Sequence, residues 1–169
     1  MALDFVIDKL TNSIQNTISG DSFATEVLRL TNVDLKGITK KNGWNFNWKA
    51  ELADNAKDVF KLTITNNSTV IQGLLSLSVE PDHVYMHLLE NAPFNIGQAK
   101  LYEGVAGNLV AYACKVAFQQ GFDGFVSFTA KTRLIAHYQK MLGASVLSGQ
   151  RMIIPTASAQ ILIDRYFKS

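Results

Sequence analysis

The sequence predicts an α+β domain with a mixed, mostly antiparallel central sheet flanked by helices. Three observations carry that expectation. The runs Val59–Thr65, Val70–Val79 and His83–Leu89 are β-type, and the turn formers Asn66-Asn67-Ser68 and Glu80-Pro81-Asp82 separate them, which reads as an antiparallel meander. The stretch from Lys100 to Ala144 then reads as loop, helix, short strand and helix, so strands come first and a crossover follows. Finally, 169 residues with 47% hydrophobic and 18% charged side chains suit a single globular domain over residues 1–169.

Taken in order, residues 1–21 form an N-terminal extension or helix, with Leu3, Val6, Ile7 and Leu10 as an amphipathic patch whose expected role is packing. Thr25–Leu30 is a first strand. The polar stretch Asn32–Gly43 has room for at most one short helix. Trp44, Phe46 and Trp48 alternate, which places three aromatics on one strand face. With only Lys49 beside it, this ladder suits core or sheet cover rather than base stacking. Asp54–Asp58 is a loop into the meander. Asn108–Gln120 has no Gly or Pro, sets Leu109, Tyr112, Val116 and Phe118 near helical spacing, and is closed by Gly121. Phe125–Phe128 is a buried strand, and Thr132 caps a helix carrying Leu134, Ile135, Tyr138 and Leu142 up to Gly143. Arg151–Ile154 or Ala159–Ile163, on either side of Pro155, supplies the last strand.

Composition narrows the function. A net charge of +2 without a basic cluster gives no case for nucleic acid. The lone Cys114 excludes an internal disulfide and falls at an apolar helix position, so it reads as core. No apolar span approaches twenty residues and MALDFVIDKL has no basic region leading an apolar core, so a cytoplasmic protein without a membrane partner is expected.

The chemically suggestive stretch is Glu103-Gly104-Val105-Ala106-Gly107-Asn108. Small residues at the mouth of a helix let its free N–H groups approach an anion, and the helix dipole favours phosphate there. The same residues also suit a tight turn that binds nothing.

With these elements in hand, the chain resembles the GNAT family, the Gcn5-related N-acetyltransferases. The element order is similar from Thr25 onward. Gly104-Val105-Ala106 is similar to the end of the family's Gln/Arg-x-x-Gly-x-Gly/Ala pyrophosphate motif, and Tyr138 to Ala144 (YQKMLGA) is similar to its Tyr-x-x-x-Gly-Phe ending, one residue longer and with Ala for Phe. Leu101 stands at the Gln/Arg position, with Lys100 beside it as an alternative charge.

The resemblance implies an acetyl-CoA-dependent N-acetyltransferase moving an acetyl group to a primary amine by direct attack. Backbone N–H groups of Glu103, Gly104, Val105, Ala106, Gly107 and Asn108 would hold the pyrophosphate, and Lys131 would reach phosphate or pantetheine. The fourth strand should splay from Phe125–Phe128, so that its backbone at Leu88 and Leu89 pairs with the pantetheine arm as an added strand would. Tyr138 would protonate the leaving thiolate.

Two-residue periodicity puts His83, Tyr85, His87 and Leu89 on one face of that strand, with Val84, Met86 and Leu88 on the other. If the first face lines the acceptor cleft, His87 is a candidate base and Glu90 its competitor. His83 and His87 are too far apart along a strand for a compact metal site, so no metal is expected. His137, adjacent to Tyr138 on a helix, should point away from it. The acceptor is a small-molecule or peptide amine, and a homodimer is left open. Two alternatives stand beside this reading: a non-catalytic GNAT-like module that binds CoA or a partner, and an unrelated α+β domain whose glycine turn binds nothing.

Overall fold

The computed structural model describes residues 1–167. Ten strands and four α-helices follow in chain order: β1 (Ile14–Asn16), β2 (Ser22–Phe23), β3 (Thr25–Arg29), α1 (Trp48–Ala53), β4 (Asp58–Ile64), β5 (Gly73–Val79), β6 (Val84–Asn91), β7 (Tyr102–Glu103), α2 (Val105–Gln119), β8 (Val126–Thr129), α3 (Ile135–Leu142), β9 (Ser145–Ser148), β10 (Arg151–Ile154) and α4 (Thr156–Phe167). The main sheet has the order β3-β4-β5-β6-β8-β10-β9, and a small second sheet has the order β2-β1-β7. Every neighbouring pair is antiparallel except β6 and β8, which run parallel. This is the mixed, mostly antiparallel sheet with flanking helices that the meander and crossover call for.

One face of the sheet is sealed by α2, which packs on β5 and β6 and also against α4. Its alanines allow that approach: Ala106, Ala111, Ala113 and Ala117 are fully buried together with Cys114. Burial pushes the Cys114 thiol far above its ordinary pKa, so it packs as an inert apolar group. Gly73 has no side chain because Val105 and Leu109 of α2 press on β5 there; a Cβ would meet Val105 at 2.8 Å.

Several local expectations are corrected. Residues 1–11 form no helix: Leu3, Phe5 and Ile7 are buried while Val6 is half exposed, the period of two of an extended chain. Trp44, Phe46 and Trp48 do not share a strand. Asn47 accepts a hydrogen bond from the Ala50 N–H and starts α1 at Trp48, because an Asn just before good helix formers caps better than it extends. Two short 3-10 turns, Asp34–Gly37 and Lys40–Asn42, occupy the polar stretch before it. Thr132 lies inside a 3-10 turn capped by Lys131, which leads into α3. Of the two candidates for a last strand, Arg151–Ile154 is β10, while Ala159–Ile163 belongs to α4.

The alternation along β6 is also corrected. Its pairing with β5 steps from Leu77↔Met86 to Ser76↔Leu88, so His87 is an extra residue, a β-bulge. Beyond it the faces exchange. Leu89 joins Val84 and Met86 on the α2 side, and Leu88 and Glu90 join Tyr85 on the opposite side.

Candidate active site

β6 and β8 pair only at Val84↔Val126 and Tyr85↔Ser127, after which they part. The C-terminal half of β6 therefore presents an edge that β8 does not cover. The splayed strand expected from the resemblance is present.

Residues 3–8 run through this opening. The Leu3 N–H donates to the Thr129 carbonyl at 2.7 Å, and the Leu3 carbonyl accepts from the Lys131 N–H at 2.9 Å, extending β8. Next, the Tyr138 hydroxyl donates to the Phe5 carbonyl at 2.5 Å, with the two rings 4.9 Å apart. The Ile7 N–H donates to His137 Nε2 at 2.9 Å. Asp8 ends the run: its carboxylate accepts from the Gly104 N–H at 3.2 Å and pairs with Lys100 Nζ at 3.1 Å. The Lys131 ammonium pairs with Asp4 at 2.9 Å.

Each proposed cofactor residue can now be located. Gly104 has φ +86° and caps α2, a conformation that favours glycine. A Cβ there would also collide with Thr11 Oγ1 and approach the Ser13 carbonyl at 3.0 Å. Gly107 is needed because Tyr166 and Leu10 press against it. The small residues of this turn therefore admit the chain's own segment 8–13 and Tyr166. Val105, Ala106 and Gly107 form the first turn of α2, and Glu103 lies in β7 beside Gln15. Asn108 is fully buried; its amide donates to Thr25 Oγ1 at 2.9 Å, and its Oδ1 has no partner among the described residues. Leu88 and Leu89 lie on the part of β6 beyond the β8 pairing, and both are buried.

Tyr138 is fully buried, and burial drives its hydroxyl well above the ordinary phenol pKa, so it stays protonated. His137 does not turn away from the site as the helix spacing suggests, since both side chains reach the same segment. Burial, helped by Lys140, holds its imidazole neutral below the usual pKa.

A cavity of about 420 Å³ remains between residues 4–8, the end of β6 and the loop after it. Phe46, Leu89, Ile96 and Lys100 line it, with Glu90 at its wall. Glu90 is buried and accepts from the Asn45 N–H at 2.7 Å, the Phe46 N–H at 3.4 Å and the Trp48 indole at 2.8 Å, so it pins the entry to α1. His87 lies outside that lining. Its Nε2 is 2.8 Å from Ser78 Oγ and its ring stands edge-on to Tyr85. Burial, then the nearby Lys57 charge, lowers its pKa. The structure thus brings Glu90 to the cavity and keeps His87 on the β5 side. Sequence reasoning missed Phe5, Asp8 and Asn45. The Leu3-Phe5-Ile7 alternation was the available signal for the first.

Among the described residues, no group of three or more His, Cys, Asp or Glu is arranged to hold a metal ion. Among them too, no helix is long and apolar enough to cross a membrane.

No protein-family model matches this sequence, and no curated protein matches it. Solved structures do. The chain is similar to the ribosomal-protein-S18-alanine N-acetyltransferase from Escherichia coli, with 15% identity and a TM-score of 0.54 over 78% of this chain and 94% of that one. It is similar to the spermidine N-acetyltransferase from Vibrio cholerae in complex with CoA and spermine, with 15% identity and a TM-score of 0.55 over 80% and 98% of the two chains. It is similar also to AtaTR bound with acetyl-CoA, at 17% identity and a TM-score of 0.55 over 82% and 98%. At such identities the likeness is one of fold: the chain has the GNAT acyl-CoA N-acyltransferase fold.

Proposed function

We propose that this chain is an acetyl-CoA-dependent N-acetyltransferase that transfers an acetyl group directly to a primary amine. The observation that carries the reading is the parting of β6 and β8 beyond Tyr85, with a buried, protonated Tyr138 along the opening and the glycine-capped start of α2 at its far end. The opening already holds an extended chain by backbone hydrogen bonds, with a carboxylate against the Gly104 N–H, so its shape and polarity fit an extended arm ending in an anion.

Acetyl-CoA supplies the thioester. The Gly104–Asn108 backbone and Lys100 meet its phosphate charge, Lys131 adds a second cation, and the free edge at Leu88 and Leu89 takes the amide groups of the arm. The amine nitrogen attacks the carbonyl carbon and the C–S bond breaks. The Tyr138 proton goes to the departing sulfur, and the amine's proton goes to Glu90 at the cavity wall or, through solvent, to His87.

The rest of the reading travels with this: one domain over the whole chain, no metal, no nucleic-acid or membrane partner, a cytoplasmic setting, and a small-molecule or peptide amine as acceptor. The similarity to a spermidine N-acetyltransferase and a ribosomal-protein-S18-alanine N-acetyltransferase supports an amine acceptor. The edge strand β9, with Val146 and Leu147 exposed, supports a homodimer.

A second reading, a non-catalytic module, is favoured by one pair of observations: Leu101 is exposed where a Gln or Arg contact would be, and Tyr138 is engaged by Phe5. Calorimetric titration with acetyl-CoA, followed by thiol release over a panel of amines, tests both. Binding with turnover supports the enzyme, and binding without turnover for any amine supports the module. No binding at millimolar ligand rejects the enzyme and any module that acts through CoA.

A further inference from the structure

We propose that residues 3–8 are an intramolecular competitor for acetyl-CoA, holding the path that its arm and phosphates would take; this rests on the N-acetyltransferase reading. The hydroxyl, the Gly104 N–H and the two cations assigned to the cosubstrate are already engaged by this one segment. The Tyr138 hydroxyl is bonded to the Phe5 carbonyl. The Gly104 N–H, at the positive end of α2, is bonded to the Asp8 carboxylate. The two cations at the site, Lys100 and Lys131, are paired with Asp8 and Asp4. A phosphate and the Asp8 carboxylate cannot share the Gly104 N–H, and Lys100 cannot neutralise both.

The segment is built for this position. It is extended, it joins the end of β8 through Leu3, and it buries Leu3, Phe5 and Ile7 at alternate positions. Its carboxylate sits where an anion is favoured, so the closed state resembles a ligand complex made from the chain itself. Cosubstrate binding then requires the segment to leave, and the apparent affinity is lowered by the fraction of molecules that are closed. The cavity beside Glu90 is what remains of the opening when the segment is in place.

The test uses the full chain and Asp8→Asn, which keeps the side chain's shape and removes its charge. Acetyl-CoA affinity is measured by calorimetry, and hydrogen exchange is followed at Leu3 and Ile7, whose N–H groups are bonded to Thr129 and His137. We expect Asp8→Asn to bind roughly tenfold more tightly than the parent, and both amides to lose protection as acetyl-CoA saturates the parent. An unchanged melting temperature establishes that the variant is folded, and Asp4→Asn, which frees Lys131, provides a second variant with a smaller gain. Binding of acetyl-CoA with both amides still protected overturns the competitor while leaving the enzyme reading intact, and so does an Asp8→Asn protein that binds no more tightly than the parent. Failure of parent and variants alike to bind acetyl-CoA overturns the enzyme reading, and the competitor with it.

Discussion

The two edges of β6 are completed in different ways. Toward β5 it is matched along its length, from Val79↔Val84 to Gly73↔Asn91, by a strand adjacent in sequence. Toward β8 it is matched only at Val84 and Tyr85, and the rest of the opening is filled by residues from the other end of the chain. The first edge is cheap to form, because a short turn closes it. The second depends on contacts more than 120 residues apart, such as Ile7 with His137. The first edge is a continuous local ladder, and the second is closed by a segment that the competitor proposal requires to leave.

Magnitudes agree with that division. Burying Leu3, Phe5 and Ile7 contributes about 1.5–3 kcal/mol each, and the five hydrogen bonds that tie the segment to distant residues through a backbone group contribute about 0.5–1.5 kcal/mol each, with the two partly exposed ion pairs adding little. Fixing its six residues costs about 1–2 kcal/mol apiece in backbone entropy alone, with side-chain ordering on top. The two sides nearly cancel, so a ligand can tip the balance.

The sharpest way to break the comparison is a matched pair of truncations. Leu75→Ala, on the β5 edge and fully buried, should cost about 2–5 kcal/mol of unfolding free energy. Phe5→Ala should cost less than about 2 kcal/mol, because local detachment caps the loss below the usual aromatic deletion. Urea melts of both decide it, and equal losses would mean that residues 3–8 are ordinary core.

Glu90→Gln comes next. One carboxylate holds three N–H donors, whereas an amide has one acceptor oxygen, so a donor is stranded at a cost of about 1–3 kcal/mol. Trp48 fluorescence should shift with the melt. Turnover that survives at full rate in this variant would remove Glu90 as the base.

Tyr138→Phe removes one hydrogen bond, worth about 1 kcal/mol in stability, yet should lower turnover while leaving acetyl-CoA binding unchanged or tighter, since the bond that it loses holds the closed segment.

The smallest effect is on pH. His87 and His137 both have pKa values lowered in the folded protein, mainly by burial. The unfolded chain therefore takes up protons first, and stability is full above the ordinary histidine pKa of about 6.5 and falls as pH drops below it. Protonating His137 also removes the acceptor for the Ile7 N–H, so the protection factor at Ile7 should fall as pH drops through the lowered His137 pKa, before global unfolding begins. An Ile7 protection factor that holds until the protein unfolds globally in acid would contradict this.

Much of the fold was legible because it is written locally. The turn residues around Asn66 and Pro81 announce the meander, and Gly121 and Gly143 mark the ends of the crossover helices, with Gly143 at φ +67° capping α3 as its position suggests. The family resemblance, built on that order and on the Gly104 turn, agrees with the fold found. What was not legible depends on partners distant in sequence. Nothing near Phe5 says that Tyr138 will meet it. Trp44 and Trp48 alternate as a strand would, but the Asn47 side chain accepts from the Ala50 N–H and the chain turns into a helix at Trp48. The residues of the glycine turn could be chosen, but not who approaches them, and Thr11, Leu10 and Tyr166 supply the closest contacts.

The bulge at His87 has a consequence for how this site tolerates change. It acts as a phase shifter: one added residue inverts the side-chain parity of everything downstream on β6. Substituting His87 should be mild, and deleting it would remove the bulge while leaving Met86, Leu88, Leu89 and Glu90 opposite Leu77, Ser76, Leu75 and Leu74 in unbroken alternation, so that Leu89 still faces α2 and Glu90 still faces the α1 entry. The position is a residue that the ladder can lose, so the anchor of α1 and the wall of the cavity depend on the pairing of Glu90 with Leu74 and not on His87.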